Sequence, residues 1–384
     1  MVTALVSLLV LGFLVVVHES GHFVVARWCG VRVLRFSMGF GPRLLTWRRG
    51  DTEYAVSAIP LGGYVKMAGE QRSEQSHQPW EYLSKPIGTR ATIVFAGPFV
   101  NYLVALVSLW FVFLIGFPEL MPVVGKVIEG MPAQAAGIQT GDRIQAVEGH
   151  PVQTWDEMTK LIYQSPERPL LFQVRRGEVV QTMTMTPKAK AVIDPFGRPT
   201  IVGQIGIAPS GDFRAYRVGP LAAVGRTIQE QNRWLAITAL GFWSMLSRKL
   251  PLRESVTGPI GIVSLIADAV KELLGAVKAS VRERGLAFLA SEDVRLGFSR
   301  LVLFTSFIGF CLSIFNLLPI PILDGGHLFF LAVEKLRGRP VSVTVQERSA
   351  QVSLALLVAF ALLVCVNDVS RLGLLEKMTG WVRR

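Results

Sequence analysis

Charge is scarce in this sequence. Asp, Glu, Lys and Arg make up 18% of its 384 residues, while hydrophobic residues make up 51%. An average globular chain is about one quarter charged, so this chain is not soluble throughout. Cysteine is scarcer still. Cys29, Cys311 and Cys365 have no metal-binding spacing, and two of them lie in apolar runs, so they read as small buried hydrophobes rather than ligands or disulfide partners. No long internal repeat is visible. No basic residue precedes the first apolar run, and no small-residue cleavage site follows it. A cleaved secretory signal is therefore excluded, and that run is expected to be retained.

Four long stretches with little or no charge remain: Val2 to Ala26, Ala91 to Phe117, Leu301 to Leu323, and Ala350 to Val366. A bilayer needs about 20 apolar helical residues per crossing, which predicts four spans. The formal charge of +12 then belongs to basic loops and does not imply a nucleic-acid partner. Arg27, Arg32, Arg35, Arg43, Arg48 and Arg49 all follow the first span. By the positive-inside rule the N-terminus is outside and the next segment is cytoplasmic.

Between spans one and two, Gly and Pro punctuate period-two patterns such as Thr52 to Ile59 and Leu61 to Met67, which predicts short strands or hairpins. Such an edge could pair with an extended substrate, or it could be an ordinary structural hairpin. From Met121 to Pro187 a mixed pattern follows. It predicts strands at 123–128, 144–147, 170–174 and 179–185, a short helix at 132–136, and a capped helix from Thr154 to about Gln164. Gly130-Met131-Pro132-Ala133, Ala136-Gly137-Ile138 and Gly141-Asp142-Arg143-Ile144 make this segment resemble a bacterial-type PDZ domain. The resemblance implies a groove for peptide ends between strand 123–128 and helix 155–164, unless the domain packs only as a steric guard. Beyond it, Trp234 to Leu246 reads as an interfacial helix too short to span, and Lys271 to Arg300 as amphipathic helices against the membrane.

The chemistry concentrates in His18-Glu19-Ser20-Gly21-His22. On a helix, positions i and i+4 share a face, so both imidazoles can reach one zinc ion, and Glu19 beside them can take a proton from the attacking water. Only five histidines occur in the chain. An ionised group inside an apolar span costs about 3 kcal/mol and is normally functional, which disfavours two satisfied core histidines. Zinc needs a third protein ligand. The metzincin pattern would put a histidine at position 28, which is Trp28. The better source is Asn316-Leu317-Leu318-Pro319-Ile320-Pro321-Ile322-Leu323-Asp324-Gly325-Gly326-His327, where two prolines open the helix. Asp324 is the favoured ligand; the alternatives are that it serves as an interfacial cap or that His327 alone is the ligand.

Together, His-Glu-x-x-His and Asn-x-x-Pro-x-Pro-x-Leu-Asp-Gly-Gly-His resemble the site-2 protease family. Gly39-Phe40-Gly41, Leu61 to Met67, Lys85-Pro86, Ala96-Gly97-Pro98 with Asn101, and Gly258-Pro259-Ile260 resemble its bacterial, regulator-of-sigma-E-like members. The resemblance implies zinc on His18, His22 and Asp324, with Glu19 as catalytic base. It also implies substrate contacts from Asn316, Pro321 and a membrane-reentrant loop at Gly39, Phe40 and Gly41. The expected fold is a polytopic α-helical membrane protein of about four spans, with a membrane-associated β-hairpin region and an inserted α/β PDZ domain. Its segments would be a first span at 1–26, a cytoplasmic β region at 27–90 and a second span at 91–117. A periplasmic PDZ domain with an extension would follow at 118–215, then interfacial helices at 216–300. A third span at 301–323, a cytoplasmic loop at 324–349, and a fourth span and tail at 350–384 would complete it.

The implied activity is cleavage of single-span proteins, such as anti-sigma factors or signal-peptide remnants, in the bacterial inner membrane. Peptide termini and the lipid bilayer are the other implied partners. The sequence departs from the enterobacterial pattern in having one PDZ-like domain rather than two, and a longer segment before span three. Two competing classes are a PDZ adaptor with a vestigial site and an ion transporter. The first should have lost Glu19 or a ligand, and the second should show repeats or more intramembrane charge.

Overall fold

The computed structural model describes residues 2–193, 199–246, 259–284 and 291–371. In chain order, α1 (Val2–Trp28) is followed by β1 (Val33–Arg49), β2 (Thr52–Met67) and α2 (Ile87–Ile115). Next come β3 (Phe117–Leu120), β4 (Val124–Val127), α3 (Pro132–Ala135), β5 (Arg143–Val147), β6 (His150–Pro151) and α4 (Trp155–Tyr163). Strands β7 (Leu170–Arg176), β8 (Val179–Met185), β9 (Lys188–Ile193), β10 (Pro199–Gln204), β11 (Ile207–Pro209) and β12 (Phe213–Tyr216) precede the last helices. These are α5 (Pro220–Leu246), α6 (Pro259–Arg284), α7 (Glu292–Asn316), α8 (Asp324–Arg337) and α9 (Val343–Arg371).

Among the described residues, four helices are long and apolar enough to cross a membrane, over Leu5–Trp28, Ile87–Ile115, Glu292–Asn316 and Val343–Cys365. The third differs from the sequence expectation at both ends. It starts nine residues before Leu301 and stops at Asn316 rather than Leu323. Pro319 and Pro321 explain the early stop, because neither can donate to a helical carbonyl and each restricts the residue before it. Residues 317–323 form turns instead, and α8 begins at Asp324.

The chain divides into two compact units. The first comprises Met1–Leu109, Val256–Ala279 and Leu301–Arg384. In it, β1 and β2 form a long antiparallel hairpin closed at Gly50, with Arg49 opposite Thr52 and Val33 opposite Met67. The hairpin curls back on itself, so Phe36 has both Val65 and Tyr54 as partners, and Ser37 has both Tyr64 and Ala55. Residues 63–67 are thereby left with one paired side and one free side among the described strands. Of the short strands or hairpins expected, the structure shows a hairpin, with two long strands rather than several short ones. Their base packs on α1 through Ala26, Val31, Val33 and Met67, with Phe23 and Val65 against them.

Helices α1 and α2 meet at glycines. A Cβ on Gly21 would overlap the Ala96 carbonyl, so no larger residue permits this approach. Helix α7 joins them. Gly309 faces Leu14 and Ala105, and Ser306 Oγ donates to the Ala105 carbonyl at 2.6 Å.

The second unit comprises Trp110–Ser255 and Ser280–Arg300. Here the expected order of strands and helices over 123–185 is present, with a sheet ordered β6-β5-β7-β8. Thr154 and Glu157 make the reciprocal capping box at the start of α4, which satisfies two N-terminal donors. Phe172, Ile144, Met158, Leu170 and Val124 are buried together in the core. Full burial contributes about 1.5–3 kcal/mol per large apolar side chain. Asp142 is 1% exposed and accepts from the Gln139 amide at 2.9 Å and from Arg176 Nε and Nη2 at 2.8 and 2.7 Å.

The expected groove requires correction. β4 already has β11 on one side, with Ile207 opposite Val127. On its other side Val124 N–H donates to Asp142 and its carbonyl accepts from Gly141. With both edges engaged, β4 cannot accept a further strand. Its partner β11 carries the outer edge of this pair. Helix α5 is also longer than expected, running unbroken from Pro220. Its first 14 residues are too polar to read as part of an apolar helix from sequence.

Candidate metal centre

The site is assembled within the first unit. His18 and His22 lie one turn apart on α1, as their spacing requires. Asp324 is the first residue of α8, where the helix N-terminus favours a carboxylate. Gly325 and Gly326 let α8 start this close, since a Cβ on either would overlap the carbonyls of Leu317, Leu318 or Ile320. Helix α8 ends at Gly338, whose φ of 67° suits a left-handed terminator.

The three donor groups converge. His18 Nε2 is 3.2 Å from His22 Nε2, and Asp324 Oδ2 is 3.0 and 3.6 Å from the two nitrogens. A tetrahedral zinc ion bound at about 2.0–2.1 Å requires ligand atoms about 3.3 Å apart. The donor set therefore fits zinc. Asp324 Oδ2 supports the fit independently. It is buried and, despite its nearness to the imidazoles, has no partner at hydrogen-bond angles. A buried carboxylate oxygen left in that state is costly unless a cation occupies the focus. Burial works against this carboxylate, yet the two imidazoles hold it well below the usual carboxylate range. Among the described residues, His18, His22 and Asp324 form the one group of three or more such side chains close enough to share a metal.

Helix α2 supports the cluster from behind. His22 Nδ1 lies 2.9 Å from the Ile93 carbonyl, which fixes the proton on Nδ1 and leaves Nε2 free. A Cβ on Gly97 would overlap the His22 ring and come within 2.9 Å of His18 Cε1. The imidazoles thus rest against bare backbone.

Glu19 faces a cavity of about 770 Å³ whose walls also include His18, His22, Gly63, Tyr64 and Asp324. Strand β2 passes so close that a Cβ on Gly63 would lie 3.1 Å from Glu19 Cγ. Gly63, Tyr64, Val65 and Met67 of this strand line the same cavity as the carboxylate. Farther along the cavity are Glu70, Tyr82, His327, Arg90 and Glu334. Burial pushes the Glu70 carboxyl and the Tyr82 hydroxyl up, and the His327 imidazole down. Arg90 clasps Glu334 through Nη2–Oε1 at 2.6 Å and Nη1–Oε2 at 3.3 Å. A second cavity of about 640 Å³ in the other unit, lined by Phe117, Glu119, Arg226 and Glu230 among others, holds no such cluster.

Of the residues expected from sequence, His18, Glu19, His22 and Asp324 are brought together. Gly39, Phe40, Gly41, Asn316 and Pro321 do not line the cavity. Gly39 lies one residue beyond Met38, the register partner of Gly63, and Phe40 stacks on Tyr64 at 6.2 Å. Asn316 ends α7, and Pro321 lies in the turn under Gly326. Sequence reasoning missed Gly63, Glu70, Arg90 and Glu334. Gly63 sits inside a noted glycine pair, but nothing local ties Arg90 to a glutamate 244 positions away.

A carboxylate beside two histidines and an aspartate whose donor atoms fit zinc, with the histidines on a helix apolar enough to span a membrane, is the arrangement of a zinc metalloprotease. Residues 6–360 match Peptidase family M50, and the chain belongs to that family. A zinc metalloprotease of Rhizobium meliloti is 33% identical over 381 residues, covering 94% of this chain and 95% of the relative. The protease RseP of Yersinia pestis is 31% identical over 467 aligned positions, covering 94% of this chain and 97% of the relative. Among solved structures, the PDZ domain of an SdrC-like protein of Listeria monocytogenes is 24% identical. It covers 23% of this chain and 84% of that one, with a TM-score of 0.18.

Proposed function

We propose that this enzyme is an intramembrane endopeptidase that cuts single-span membrane proteins, with His18, His22 and Asp324 holding zinc and Glu19 as general base. The observation that carries the reading is the convergence of those three donors on one focus with Glu19 on the same cavity wall. Bound zinc supplies a Lewis acid for the scissile carbonyl and acidifies a water. Glu19 takes the proton from the attacking oxygen and delivers it to the leaving amine.

A helical substrate has its carbonyls locked in hydrogen bonds, so it must unwind before attack. The side of residues 63–66 turned away from β1 offers backbone groups to the unwound strand near Glu19, while Met67 N–H is taken by the Glu70 carboxylate at 3.2 Å. Gly39, Phe40 and Gly41, on the same hairpin, would guide that strand, and Asn316 and Pro321 would contact it from the turn before Asp324. The substrates in this proposal are anti-sigma-factor-like proteins or signal-peptide remnants, trimmed on the outer face of a bacterial inner membrane. The PDZ-like segment lies on the periplasmic side in this reading and handles new peptide ends along β11 or excludes bulky ectodomains. The segment limits read from the sequence are part of the same proposal.

The test pairs zinc content with cleavage of a tagged single-span substrate in membranes. Glu19→Gln is expected to keep zinc and lose cleavage, and Asp324→Asn to lose both. Wild-type cleavage by Glu19→Gln would sink the assignment.

A further inference from the structure

Asn101 lies on α2 and is 1% exposed. Its Nδ2 is 3.4 Å from His18 Nδ1, and its Oδ1 is buried with no partner. With Nδ2 toward the ring, the amide can only donate, which requires a bare Nδ1 and puts the proton of a neutral imidazole on Nε2. That tautomer cannot bind a metal through Nε2, although Nε2 is the atom aimed at His22 and Asp324. Half a turn of the amide exchanges its two ends, which are alike in size and shape. Oδ1 then accepts from Nδ1–H, and Nε2 is free.

We infer that Asn101 is a positioning residue for the metal centre, its side-chain oxygen holding His18 in the metal-binding tautomer. This rests on the reading of His18 as a zinc ligand. Asn101 would do for His18 what the Ile93 carbonyl does for His22, so one helix sets both rings. The division of labour has a physical reason. An imidazole that ligates through Nε2 needs an acceptor at Nδ1, and helix backbone offers a free carbonyl at few places. His18 lies farther along α2 than His22 and meets a side chain there.

The experiment measures zinc retention against a graded chelator in the full-length protein in detergent, alongside the melting temperature of the metal-free form. Four variants are compared with the parent: Asn101→Leu, which removes the acceptor at similar volume, Asn101→Asp, which keeps it, Asn101→Ala and His18→Gln. Loss of zinc by His18→Gln establishes that His18 is a ligand, and retention would overturn that reading and this inference together. Given that loss, Asn101→Leu and Asn101→Ala are expected to hold zinc 10–100-fold more weakly. Asn101→Asp should hold it at least as tightly as the parent, with the metal-free melting temperatures little changed. Parent-like zinc retention by Asn101→Leu overturns the inference. So does a fall in zinc affinity of Asn101→Asp that tracks a fall in its metal-free melting temperature. Should Asn101→Leu fail to fold, the comparison of Asn101→Asp with Asn101→Ala decides by the same criterion.

Discussion

Replacing Gly97 by alanine adds one methyl group where His18 and His22, the proposed zinc ligands, rest on α2. That methyl would overlap the His22 ring edge at Nε2 and Cε1 and come within 2.9 Å of His18 Cε1, whereas carbon atoms in contact settle about 3.5–4.0 Å apart. The ring must therefore retreat by on the order of 1 Å. If His22 leaves its rotamer, the cost is about 0.5–1.5 kcal/mol, and the bond to the Ile93 carbonyl is lost for about another 1 kcal/mol. If the helices separate instead, overpacking costs about 1–3 kcal/mol. Either way roughly 1–3 kcal/mol is lost, equivalent to about 5–150-fold in zinc affinity. A ligand displaced by that distance exceeds the tolerance of about 0.2 Å for a working site. Gly97→Ala should therefore lose zinc to a chelator that spares the parent, and cleave its substrate at under about 1% of the parental rate. Gly88, on the same helix, has nothing within 4 Å of where a Cβ would lie, so Gly88→Ala is the control and should leave both properties intact. Parental zinc affinity in Gly97→Ala would refute the claim that bare backbone sets the histidine positions.

Two further predictions concern the surroundings. Arg90→Met leaves the partly buried Glu334 without its guanidinium and should cost about 1–3 kcal/mol, read as a lower melting temperature in detergent. Adding Glu334→Leu should recover most of that loss, and no recovery would mean the pair contributes through something other than its charges. Burial works against the Asp142 carboxylate, but Arg176 and the Gln139 amide outweigh it and hold it below its ordinary value. Its contribution is therefore full above the unfolded value of about 3.9 and fades as pH falls through the lower folded value. Hydrogen exchange at Ile144–Val147 should accelerate below about pH 4 in the parent. Asp142→Asn should lose about 2 kcal/mol at neutral pH and show a flatter acid profile, and a parallel profile would refute the assignment.

The histidine half of the cradle was legible in the sequence because it is local. Two histidines at i and i+4 announce a shared face, whereas the sequence placed Asp324 just past a span running to Leu323 and gave no sign that it opens a helix. The PDZ-like order was legible for the same reason, through Thr154-x-x-Glu157 and the Gly141-Asp142 turn. Pairing across the chain was not. Nothing near β4 says that β11, some 80 residues later, fills its edge and moves any peptide-accepting edge outward. Nothing in 317–323 fixes the helix end, because an uncharged run looks the same whether it is helix or turn. The curl of the hairpin was hidden too, since one strand period serves Phe36 equally well against Val65 or Tyr54.

The glycine contact between α1 and α2 has a consequence for how such a protein can vary. Where two spans meet main chain to main chain, the reactive geometry is specified by an absence of side chains. The outward faces of both helices are then free to drift among Leu, Val, Ile and Phe without disturbing the chemistry. Such an enzyme can be refitted to bilayers of different thickness or fluidity by substitutions a few ångströms from its reactive centre. A single methyl group on the inner face has no such latitude.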